Sequence, residues 1–300
     1  MTRPFWHTSP STISFILLAA AMTAIIFYLQ SISTSQSSSP CTVMAPVTTK
    51  PDFRLLIGIL TVPDSYERRH LVRHAYALQS NNLAGAAEID VRFVFCNLTK
   101  DEQHVLVAME IMLYDDIIIL NCTENMDDGK TYTYFSSLPH LFDESTYDYV
   151  MKTDDDTYFR LDNLAESLRR LPREDVYYGF LTPCHNRRSP TRYMSGMGYV
   201  LSWDLVEWIE RAETPRKRQV GTEDVTTGSW LREGGRGRRV FDMGTAMYDY
   251  MEEPRLCSRH EFVPGTIAVH KLKSNLRWAR TLEYFNVTAG LKPSKLYHLS

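Results

Sequence analysis

Cysteine is scarce and scattered. The five in the chain (Cys41, Cys96, Cys122, Cys184 and Cys257) include no Cys-x-x-Cys pair, so a structural zinc module has no ligand set. Spacing alone leaves their pairing open, with an odd one left over. Basic charge is not in excess either. Thirty-three Lys and Arg stand against 36 Asp and Glu, a formal net charge of −3, which removes the global positive field a nucleic-acid binder needs. No segment repeats at a solenoid period. Long uncharged runs are absent except at the start.

That run extends from Thr12 to Leu29. Arg3 and His7 precede it and no acidic residue does. Its apolar length, about 17 residues, suits a single membrane crossing at the short end of the range. It closes on Phe27-Tyr28-Leu29-Gln30, without the small-x-small pattern of a cleaved leader. The expected layout is a cytosolic tail over 1–12, a transmembrane signal anchor over 13–29, a Ser/Thr/Pro-rich flexible stem over 30–51 and a lumenal domain over 52–300. Three sequons fit a lumenal domain: Asn97-Leu98-Thr99, Asn121-Cys122-Thr123 and Asn286-Val287-Thr288.

From Phe53 onward, strand and helix signals alternate. Leu55 to Leu60, Val91 to Cys96, Asp116 to Leu120 and Tyr147 to Thr153 read as strands. Tyr66 to Gln79, Asp101 to Tyr114 and Lys130 to Phe142 read as helices. In the second of these helices, Val105, Ala108, Met109 and Met112 share one face, the face expected to be buried. This alternation predicts βαβ units and a mainly parallel sheet. Further on, Leu161, Leu164, Leu168 and Leu171 form a helical stripe. Val176 to Leu181 and Tyr193 to Ser202 read as strands, Ser202 is placed to cap the next helix, and Val263 to His270 reads as a strand.

Three adjacent carboxylates, Asp154-Asp155-Asp156, lie just past the carboxyl end of the fourth strand. In open α/β sheets that is where ligands bind. Side-by-side anions repel, and the hard oxygens suit Mg²⁺ or Mn²⁺ shared with substrate phosphates. An EF-hand starting at Asp154 would need Gly and Glu where Phe159 and Ala165 stand, so it fails. A glycoside hydrolase needs two separated carboxylates and no metal triplet.

The ordered motifs resemble the β-1,3-galactosyltransferase family, glycosyltransferase family 31. They are Arg68-Arg69-His70-Leu71-Val72-Arg73, Glu110 ahead of Tyr114-Asp115-Asp116-Ile117, Lys152 to Phe159, Tyr193 to Ser202 (with Met194 where Cys is usual), and Glu223-Asp224-Val225-Thr226-Thr227-Gly228. The resemblance spans nearly all of residues 52 to 275. It implies a GT-A-like fold and inverting hexosyl transfer from a UDP-sugar to an acceptor glycan or glycoprotein, in a Golgi-lumenal, single-pass type II protein using Mn²⁺. It also implies roles: Asp224 as base; Asp154, Asp156 and His270 around the metal; Arg69, Arg73, Asp154, Asp155 and Gly196 around the nucleotide sugar. A membrane-tethered lectin or inactive scaffold of the same fold is the alternative.

Overall fold

The computed structural model describes residues 51–79, 87–184, 189–250 and 261–297. The expected tail and anchor, nearly all of the stem, Cys41 and Cys257 lie outside these residues. Among the described residues no helix is long and apolar enough to cross a membrane.

The chain runs β1 (Arg54–Leu60), α1 (Tyr66–Ala77), β2 (Glu88–Phe95), α2 (Asp101–Tyr114), β3 (Ile117–Ile119), α3 (Lys130–Leu141), β4 (Tyr149–Asp154), β5 (Tyr158–Phe159), α4 (Leu161–Arg169), β6 (Val176–Thr182), β7 (Tyr193–Ser202), α5 (Trp203–Arg211), α6 (Glu213–Lys217), α7 (Glu223–Glu233), β8 (Arg239–Asp242), β9 (Met247–Asp249), β10 (Ala268–His270) and α8 (Asn275–Tyr284). Seven strands form one sheet in the order β3-β2-β1-β4-β7-β6-β8. Its first four strands are parallel, and β7 runs antiparallel to both neighbours. The sheet is therefore mixed, parallel over the half that carries the carboxylates. From β1 the chain moves outward to β2 and β3, then returns to lay β4 on the other side of β1. The resulting switch point opens a crevice at the carboxyl ends of β1 and β4.

Strand side chains alternate between two cores. On one face Leu55, Ile57, Tyr149 and Met151 pack with Val72 and Tyr76 of α1, Leu161, Leu164 and Leu168 of α4, and Trp278 of α8. On the other, Leu56, Leu60 and Val150 pack with Tyr134 and Leu138 of α3, Leu205 and Ile209 of α5, and Trp230 of α7. Cys96 and Cys122 form a disulfide across the carboxyl ends of β2 and β3. Ser202 does not cap α5; its Oγ accepts the Val176 N–H at 2.9 Å and joins β6 to β7 instead.

Helix α2 reverses the expected packing. Its buried residues are Gln103, Val107 and Glu110, while Val105, Met109 and Met112 face outward. The cause is charge. Glu110 receives Arg69 through Nε at 3.0 Å and Nη2 at 2.6 Å, and meets Arg73 Nη1 at 2.5 Å. Arg73 also grips Asp116 bidentately, at 2.7 and 2.9 Å. Burial would raise the Glu110 carboxyl, but these guanidinium contacts outweigh it and hold the group below the ordinary carboxylate range. Two of the sequence motifs are thus halves of one ion-pair network.

Removing one member of a buried pair leaves the other charge uncompensated. Glu110→Ala is expected to lower unfolding stability by about 3–5 kcal/mol, read as an earlier urea midpoint by tryptophan fluorescence. An unchanged midpoint would show that water reaches Arg69.

Candidate active site

The site is built around a lysine inside β4. Lys152 is fully buried, flanked by Met151 and Thr153, which are also buried. Its ammonium touches Asp154 Oδ1 at 2.9 Å, Glu223 Oε1, Asp224 Oδ1 at 3.6 Å and the Gly196 carbonyl at 3.5 Å. Burial alone would lower the lysine. The three carboxylates win, and its pKa lies well above the usual value. The carboxylates come from two elements: Asp154 closes β4, and Glu223 and Asp224 open α7.

Those two acidic neighbours are unlike. Glu223 accepts from Thr131 Oγ1 at 2.7 Å and from Lys152; burial opposes its ionisation, yet the lysine's charge holds it below its usual pKa. Asp224 is pushed up to about 8, by burial first and, against the pull of Lys152, by sharing its surroundings with Glu223. Its Oδ1 is buried and makes no hydrogen bond. A carboxyl with that pKa exchanges its proton near neutrality, as a general base requires.

A second cluster forms through the small sheet β5-β10-β9. β10 lies antiparallel to β5, pairing Val269 with Tyr158, and the Leu272 N–H donates to the Asp156 carbonyl at 3.0 Å. This register delivers His270 to the turn after β4. Asp154, Asp156 and His270 each present one ligand atom, all within 4.8 Å of one another. His270 Nε2 stands 3.4 Å from Asp156 Oδ1, and its Nδ1 faces Asp249 Oδ1 at 3.1 Å. A carboxylate behind a histidine in this way fixes the ring that ligates a metal. Burial would lower the imidazole, but hydrogen bonds with Asp156 and Asp249 raise it to about 9. Asp156 is buried, and its two carboxylate oxygens face the cationic nitrogens of His270 and Lys273. Burial pushes its pKa up, and His270 and Lys273 together hold it below the ordinary range. Lys273 Nζ, on an exposed side chain, reaches Asp156 Oδ2 at 2.5 Å. Two hard carboxylates, an oriented imidazole and buried anionic oxygens fit a divalent cation.

Asp155 turns away from this cluster toward β1, where its Oδ2 accepts from Thr61 Oγ1 at 2.6 Å; burial raises its pKa. Gly196 seats the base: a Cβ there would lie 2.5 Å from Asp224 Oδ2. Arg69 departs from the expected nucleotide contact. Its side chain is wholly buried and engaged by Glu110 and by the Val62 and Pro63 carbonyls. Arg73 is likewise spent on Glu110 and Asp116. The neighbouring Arg68 instead borders a groove of about 680 Å³ between the start of α1 and α8. Its Nη1 donates to the Leu272 carbonyl, and its guanidinium lies 5.7 Å from the Trp278 ring centroid. The sequon residues Asn97, Asn121 and Asn286 are all exposed.

Sequence reasoning gave no role to Lys152, Glu223, Asp249 or Lys273. A lysine within a run of buried β-strand residues was the available signal for the first. Asp249 offers no local signal, because only strand register places it behind His270.

Similarity to known proteins supports a hexosyltransferase enzyme. The galactosyltransferase family model matches residues 67–192, which include Asp154 to Asp156. A β-1,3-galactosyltransferase, pvg3, of Schizosaccharomyces pombe is 25% identical over 275 residues, covering 74% of this chain and 72% of its own. Mouse β-1,3-galactosyltransferase 6 is 28% identical over 59% of each chain. The Arabidopsis thaliana hydroxyproline O-galactosyltransferase GALT6 is 24% identical over 68% of this chain, which spans 31% of that longer protein. Residues 67–192 thus match a galactosyltransferase domain, and the chain is similar to β-1,3-galactosyltransferases over more than half of its length.

Gly196→Ala displaces the Asp224 carboxylate without touching the Asp154–Asp156–His270 cluster. Transfer rate is expected to fall by about tenfold or more with the donor KM little changed, measured by steady-state kinetics. An equal loss in donor binding would move Gly196 to the nucleotide side.

Proposed function

We propose that this protein is an inverting transferase that moves galactose or N-acetylglucosamine from a UDP-sugar to a hydroxyl of an acceptor glycan or glycoprotein, in β-1,3 linkage. The related β-1,3-galactosyltransferases favour galactose and that linkage. The observation that carries the reading is the shared ammonium. Lys152 contacts both Asp154, of the metal-competent cluster, and Asp224, the carboxyl poised near neutrality.

In this reading Asp154, Asp156 and His270 hold Mn²⁺, the imidazole shifting preference away from Mg²⁺. When bound, the ion neutralises charge on the departing diphosphate. Asp224 takes the proton from the acceptor hydroxyl as that oxygen bonds to the donor's anomeric carbon. The bond to UDP breaks on the opposite face, which inverts the centre. Lys152 keeps Glu223 ionised, so the proton goes to Asp224. Lys273, released from Asp156, turns to the diphosphate. The groove beside Arg68 and Trp278 takes the nucleoside end, the part first assigned to Arg69 and Arg73. Residues 13–29 anchor the chain in the Golgi membrane as a single-pass type II protein, with the sequons and the site in the lumen.

The full-length protein in detergent, given UDP-galactose or UDP-N-acetylglucosamine, should release UDP only when Mn²⁺ and acceptor are both present. Asp224→Asn should abolish transfer while Mn²⁺-dependent UDP binding persists; loss of both together would remove the base assignment. The same variant should be more stable at pH 7. A carboxyl whose folded pKa is raised stabilises the fold fully below its unfolded pKa, and that contribution is lost as pH rises toward about 8. Relief of that cost should raise Tm by about 2–4 °C for each kcal/mol, seen by differential scanning fluorimetry. In wild type, kcat/KM should climb with pH up to about 8 and then level, since the deprotonated base is the active form. A flat profile from pH 6 to 9 would mean that another group takes the proton.

A further inference from the structure

Helix α2 is apolar on the wrong side for a monomer. Its inward face is Gln103, Val107 and Glu110, and its outward face repeats Val105, Leu106, Met109, Met112 and Leu113 at helical spacing. These are not grazing exposures: Val105 is 62% exposed, Met112 89% and Leu113 71%. The stripe continues to Ile119 at the end of β3, which pairs only with β2 and forms one edge of the sheet. That edge strand holds no lysine or proline to discourage pairing. A contiguous exposed patch of this kind marks an interaction surface.

We propose that a second copy of this chain covers the stripe, with α2 packed antiparallel on α2 of the partner about a two-fold axis near Met109. Area is the first argument. A standard interface buries about 800 Å² per partner, and the stripe with Ile119 and Tyr114 offers an area of that order. Charge complementarity is the second. Asp101 and Glu102 open α2 and make no ion pair among the described residues; nor does Arg92, whose guanidinium lies on the Asp115 carbonyl at the other end of the helix. An antiparallel two-fold brings each acidic start to the partner's Arg92 end and opposes the two helix dipoles. A membrane surface fits poorly, because α2 contains no lysine or arginine with which to hold lipid headgroups.

The test uses the full-length protein in detergent at on the order of 10 µM, a concentration at which a micromolar interface is populated. Sedimentation velocity should show a dimer. Met109→Cys should give a disulfide-linked dimer on a non-reducing gel, whereas Glu166→Cys on the exposed face of α4 should not. The double variant Met109→Glu/Met112→Glu should associate at least tenfold more weakly, with circular dichroism and UDP release unchanged. Three results overturn the proposal: a monomeric wild type, a dimer that survives the double substitution (association through the apolar N-terminal run), or equal cross-linking at positions 109 and 166.

Discussion

One buried ammonium holds the site together. Lys152 lies within β4, where three carboxylates from two distant parts of the chain converge on it. A lysine in that position is costly unless its charge is met, and carboxylates at such spacing repel unless a cation lies between them. Each requirement answers the other. The result is a fixed distance between the end of β4, where a metal-competent cluster begins, and the start of α7, where the candidate base stands. The lysine also divides its neighbours: Glu223 stays ionised against it, and the excess proton affinity falls on Asp224.

The second constraint is the small sheet. Two strand residues, Tyr158 and Phe159, follow the acidic turn directly and pair with β10. Without that pairing His270, more than a hundred residues away in the chain, would have no reason to face Asp156. β9 then lies beside β10 in parallel and sets Asp249 behind the imidazole. Ligand, orienting group and acidic turn are thus fixed by backbone hydrogen bonds, so the cluster has rigid support.

Much of this was legible in the chain. The strand before the triplet, the glycines of β7 and the Glu-Asp opening of α7 are local patterns, and local patterns survive in sequence. So did Asp154, Asp156 and His270, which the fold brings to one place. The arginine motif misled. Arg69 and Arg73 look like ligand-binding residues in a basic helix, but Glu110 and Asp116 claim them first. The apolar residues of α2 misled for the same cause: a helix whose buried face is held by ion pairs need not bury its apolar stripe. Periodicity reports which residues share a face, and charge pairing decided which face turned inward.

The sequence by itself determined the alternation of strands and helices, the position of the carboxylates at a strand's carboxyl end, and the candidate base at a helix start. These depend on backbone period and on neighbours within a few residues. Tertiary structure alone decided that β7 runs antiparallel, that Asp249 stands behind His270, that Gly196 makes room for Asp224, and that Lys152 binds two motifs into one site. Those outcomes rest on strand register and on buried electrostatics between residues far apart in the chain, quantities that no local pattern encodes.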